Sequence, residues 1–99
     1  MRAQRFPLKL SIRYRRVGEA GWLDGKTENI SDSGVLFRVE QPFDVDTPIE
    51  IRITLPARTP SEVVGQARIV RAEIRPAGPP AALAAEFSQQ RLVPFPNHL

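Results

Sequence analysis

Apolar residues recur at every second position through Phe6, Leu8, Leu10, Ile12 and Tyr14, with Lys9, Ser11, Arg13 and Arg15 between them. Successive side chains of a strand point to opposite faces, so this alternation predicts a first β-strand with one buried and one charged face. Arg15-Arg16 followed by Gly18 and Gly21 marks the turn out of it. Trp22 to Ile30 forms a weaker second strand, in which Asp24-Gly25 reads as a turn or bulge signal. Val35, Phe37 and Val39 define a third strand, and Ile49, Ile51, Ile53 and Leu55 a fourth with the cleanest alternation in the chain. The β-branched stretch from Val63 to Ile74 predicts a fifth, and Ala81 to Phe87 reads as a short sixth or, by alanine content, a helical turn, its place after the turn Pro76-Ala77-Gly78-Pro79-Pro80 favouring the strand. No segment carries a helical period. The expected fold is all-β, a small antiparallel six-stranded β-barrel, whose closure leaves few exposed strand edges.

At 99 residues the chain fits one domain. Its expected parts are an N-terminal arginine segment over 1–6, a barrel over about 6–88 and a tail over 89–99. No apolar run is long enough to span a bilayer, so no membrane partner is expected. The basic opening, Met1-Arg2-Ala3-Gln4-Arg5, leads into an alternating segment and not into a signal-peptide core, which points to a cytoplasmic protein. There are no cysteines, and the single histidine, His98, has no companion ligand nearby, so neither a metal site nor a cofactor is expected. Asp24, Asp32, Asp44 and Asp46 lack a His or Cys partner, and Ser31 and Ser33 lack a base, so an enzyme is not expected.

The formal charge is +3, and twelve of the fourteen basic residues are arginine. An arginine fork suits phosphate oxygens and guanine O6/N7, whereas lysine is a point charge, so the bias favours a phosphate or nucleotide partner. Nucleic acid itself is not expected, because aromatic side chains are not interleaved along an open strand face. Arg13, Arg15 and Arg16 read as the charged outer side of a strand, and Trp22 as core or cover.

The best candidate site is Asn29-Ile30-Ser31-Asp32-Ser33-Gly34, a polar turn between the second and third strands. Asn29, Ser31 and Asp32 can hydrogen-bond locally, and Gly34 ends the run with the one residue type indifferent to the sign of φ. The plainer reading is a tight turn that only joins two strands.

Asn29-x-Ser31-x-x-Gly34, placed after an arginine-containing N-terminal segment and a first strand, resembles the second motif of the PilZ domain family. Arg5-Phe6-Pro7-Leu8, Ile51-x-Ile53-x-Leu55-Pro56, Gly65-x-Ala67-x-Ile69-Val70-Arg71 and Leu83-Ala84-Ala85-Glu86-Phe87 extend the resemblance over roughly residues 2 to 88. It implies a receptor for the bacterial second messenger cyclic di-GMP that relays its signal to a partner protein, with Arg2, Arg5, Asn29, Ser31 and Gly34 as ligand-binding residues. The family's first motif is Arg-x-x-x-Arg. With Arg5 as its second arginine the first position falls on Met1, so Arg2 stands one residue out of register. The family also includes members without the arginine motif that act through protein contacts alone, and a non-binding adaptor is the alternative.

Overall fold

The computed structural model describes residues 9–56, 61–75 and 80–94. Six strands close into one barrel, β1 (Ser11–Arg16), β2 (Leu23–Ile30), β3 (Gly34–Val39), β4 (Pro48–Leu55), β5 (Ser61–Ile74) and β6 (Ala81–Pro94). Around the barrel the order is β1-β2-β3-β6-β5-β4, and every neighbouring pair is antiparallel.

The period-two pattern sets the inside. Ile12 and Tyr14 of β1, Val35, Phe37 and Val39 of β3, and Ile49, Ile51 and Ile53 of β4 all point inward and are almost completely buried. Ile69, Leu83 and Ala85 complete the packing from β5 and β6. Tyr14 meets Phe37 and Phe43 edge-on at centroid separations of 5.2 and 5.3 Å, and its hydroxyl donates to the Gln41 carbonyl at 3.1 Å. The phenol thus keeps one polar contact in an otherwise apolar core, as a buried tyrosine requires.

Two details differ from the expectation, and for Trp22 the second of its two expected places, cover, is the one found. The sixth strand does not stop at Phe87. Its second half, Gln89 to Pro94, pairs with Ser61 to Gln66 of β5, so residues 89–94 belong to the barrel wall and not to a tail. Backbone ladder bonds hold this stretch, and it has no side-chain alternation by which to announce itself. Asp24-Gly25 makes no turn, because both residues lie inside β2, opposite Arg13 and Ile12. Gly25 is there for space, since a Cβ would meet the Arg38 carbonyl oxygen at 2.7 Å. Trp22 is not core. It lies half-buried outside the barrel with the Arg15 guanidinium 4.2 Å from its ring centroid.

Candidate functional site

Two irregular strands shape the outer wall around the Asn29 to Gly34 turn. Strand β2 pairs Thr27 with Phe37 and then Asn29 with Leu36, leaving Glu28 as an extra residue in a β-bulge. Without the bulge Asn29 would share the inward face of Thr27. With it, Asn29 joins Leu36 outside, and Ile30 turns inward beside Val35. Strand β5 repeats the device, pairing Ile69 with Ala85 and then Arg71 with Ala84 while Val70 bulges. Arg71 is thereby swung to the outer face.

The registers align these residues into one row across four strands, Asn29 on β2, Leu36 on β3, Ala84 on β6 and Arg71 on β5. Three strand spacings make the row about 14 Å wide. It floors an open cleft of about 350 Å³ that Ser31, Ser33, Gly34 and Glu86 also border. The cleft has an amide at one rim, a guanidinium at the other and small apolar groups between.

The turn itself is closed by Ser31. Its Oγ accepts from the Ser33 amide at 3.3 Å and from the Gly34 amide at 3.3 Å, while its own amide donates to the Gly34 carbonyl at 2.9 Å. The Ser33 carbonyl in turn accepts from the Phe87 amide at 2.8 Å, and the Asp32 carbonyl from Gln90 Nε2 at 2.6 Å, which pins the loop to β6. Gly34 is not in the left-handed region; the glycine with positive φ among the described residues is Gly18. The expectation for Gly34 is therefore corrected in its reason. A Cβ at this position would collide with the Ala85 carbonyl oxygen of β6, so the close approach of two backbones requires glycine there.

Charge is organised along the same rim. Arg71 Nε donates to Glu73 at 3.0 Å, Arg75 Nη2 to Glu73 at 3.2 Å, Arg75 Nη1 to Glu28 at 2.8 Å, and Arg38 Nη1 to Glu28 at 3.3 Å. The Glu73 hydrogen bond, opposed by desolvation and assisted by Glu28, raises the affinity of Arg75 for its proton. This chain of alternating charges braces the bulged residue Glu28 and leaves Arg71 largely exposed at the cleft. Among the described residues no group of three or more His, Cys, Asp or Glu side chains could hold a metal ion. No helix among them is long and apolar enough to cross a membrane.

A family model described as PilZ domain matches residues 1–92. The chain belongs to the PilZ domain family. PilZ domains are binding and adaptor modules. A search of solved structures finds the Bacillus subtilis inhibitor of motility (MotI/DgrA), similar at a TM-score of 0.76 and 16% identity over 90% of this chain and 43% of that one. At that identity the likeness concerns the fold, and this PilZ domain spans less than half the length of the matched protein. No curated protein sequence matches the chain.

Of the residues expected to bind, Asn29, Ser31 and Gly34 border the cleft. Arg2 and Arg5 lie outside the described residues. Arg71, Leu36 and Ala84 complete the row without having been expected as ligand-binding residues, although Arg71 and Ala84 lie in stretches that carry the PilZ resemblance, and a further signal for Arg71 exists in the sequence. Ala67 and Ile69 point inward, so strict alternation would bury Arg71, and an arginine at an inward slot marks a bulge.

Proposed function

We propose that this PilZ domain is a receptor for cyclic di-GMP, which it binds on the outer face of β2, β3, β6 and β5. The observation that carries the reading is the row Asn29, Leu36, Ala84, Arg71, which two bulges bring to one face. Cyclic di-GMP offers two flat guanines and two phosphates. The guanidinium of Arg71 suits a phosphate or the guanine O6/N7 edge, the Asn29 amide can both donate to and accept from a base, and Leu36 with Ala84 is a platform for a ring face.

The direction of the N-terminal chain supports the same site. The Leu10 amide donates to Thr27 Oγ1 at 2.8 Å and the Thr27 amide to the Leu10 carbonyl at 2.9 Å. Followed backwards from Ser11, the chain therefore runs along β2 toward Asn29. The five peptide units between Leu10 and Arg5 can span at most about 17 Å, comparable to the width of the cleft. Arg5, with Arg2 beyond it, is thus within covalent reach of a nucleotide lying there. Ser31 acts through the turn it closes, and Gly34 by letting β3 lie against β6.

The non-binding adaptor reading draws on one specific feature, the shifted spacing Arg2-x-x-Arg5. Calorimetric titration of the full chain with cyclic di-GMP separates the two. Saturable heat is expected, with Arg5→Ala and Arg71→Ala each weakening affinity by about tenfold or more, the loss that goes with removing a charge-assisted contact. Absence of heat and of any thermal shift at millimolar ligand would favour the adaptor.

A further inference from the structure

A second surface lies on the opposite side of the barrel wall. On the outer faces of β1, β4, β5 and β6 the registers place Arg13 opposite Arg52, Arg52 opposite Val64, and Val64 opposite Arg91. Like charges directly across a strand pair are unfavourable, and the Arg13–Arg52 pair is offset by Asp24 beside Arg13 and Glu62 beside Arg52. Arg52 is partly neutralised by Glu62 at 3.3 Å, and Arg13 stands between Arg52 and Asp24 of β2, whereas Arg91 is exposed and is opposed by Val64. Trp22 gathers the cluster, with Arg15, Arg52 and Arg13 guanidinium carbons 4.2, 5.5 and 5.6 Å from its ring centroid. Beside the tryptophan opens a groove of about 390 Å³ lined by Arg52, Val64 and Arg91 together with the Arg15–Glu50 ion pair, which leaves its lining with a net positive charge.

We propose that this groove docks an acidic helical segment of a partner protein, with a carboxylate on Arg52, a second on Arg91 and an apolar side chain on Val64 between them. Two strand spacings separate Arg52 from Arg91, about 10 Å. That is the rise between positions i and i+7 of a helix, and i+3 or i+4 falls midway on the same face. The charge pattern selects the occupant: two cations flanking an apolar floor complement an acidic–apolar–acidic face, whereas a nucleic-acid backbone would place its charges without an apolar group between them. The surface is distinct from the nucleotide cleft, and the inference stands whether or not cyclic di-GMP binds.

Trp22 is the single tryptophan of the chain and reports on the groove directly. The full-length protein is titrated with a helical peptide carrying Glu at i and i+7 and Leu at i+3 and i+4, with Trp22 emission and peptide anisotropy recorded. Saturable binding that perturbs Trp22 is expected, weakened about tenfold by Arg91→Glu and again by Arg13→Glu. Both side chains are exposed on the outer face of the barrel, so these variants leave the core intact. A peptide with Lys at i and i+7 should bind the Arg52→Glu/Arg91→Glu protein better than the wild type. Absence of saturable binding, indifference to Arg91→Glu, or tighter arginine-dependent binding of a single-stranded oligonucleotide than of the peptide would overturn the proposal.

Discussion

Ser31 Oγ accepts hydrogen bonds from two amides of its own turn and so works as a clamp, with little capacity left to accept one from a ligand. Gly34 is equally local, because its missing Cβ lets β3 lie against the Ala85 carbonyl. Gly34→Ala should destabilise the fold by about 1–3 kcal/mol through overpacking, read as a lower urea midpoint at unchanged slope; a midpoint equal to the wild type would contradict the close-approach account. The pair Asn29 and Gly34 was legible from spacing, but the reason for the glycine was not, since it depends on a strand some fifty residues away that only the topology brings near. Tyr14 provides a pH test of the core. Burial, with a smaller contribution from Asp24, pushes its phenol up to about 12. The folded state therefore favours the protonated form. That stabilisation is complete below the ordinary phenol value of 10.0 and is lost as pH rises from there through about 12. About 2–3 kcal/mol is at stake. As Tyr14 is the single tyrosine, tyrosinate absorbance should appear together with the loss of stability. A midpoint near 10.0 in the folded protein would refute the burial argument.

At the scale of the element, alternation made β1, β3 and β4 readable because each has one face in the core and one in solvent. The bulges at Glu28 and Val70 were harder to read, although each leaves a trace. Thr27, Asn29 and Ile30 cannot all keep strict parity without putting a polar group inside and an apolar one outside, and the bulge at Glu28 resolves that conflict. The second half of β6 left no such trace. Ser88-Gln89-Gln90-Arg91 is polar throughout, and the partners of Gln89 to Arg91, Val64 to Gln66, are separated from them by the whole β5–β6 hairpin. A chain ended after Ser88 should lose this ladder and be less stable by about 3–6 kcal/mol, at a net worth of about 0.5–1 kcal/mol for each of roughly six backbone hydrogen bonds lost. Unchanged thermal stability of the shortened chain would show that residues 89–94 contribute nothing to the barrel.

For the whole molecule, closure of the sheet gives the barrel two outward faces of different chemistry. One carries the amide, apolar floor and guanidinium of the cleft beside the Asn29 to Gly34 turn, and the other the tryptophan and arginine groove. Gln90 touches both, lining the groove while its side chain holds the Asp32 carbonyl of the turn. The order β1-β2-β3-β6-β5-β4 is what assembles the cleft, since β3 and β5 flank β6 and bring Arg71 across from Asn29. That ordering is not written in local pattern, which is why Arg71 emerges from the structure and the Asn29 to Gly34 turn from the sequence. The most direct test of the central claim is amide chemical-shift mapping by NMR during titration with cyclic di-GMP. The account predicts that the largest shifts cluster at Asn29, Gly34, Leu36, Arg71 and Ala84. Shifts concentrated instead at Trp22, Arg52 and Arg91, or none at saturating nucleotide, would contradict it.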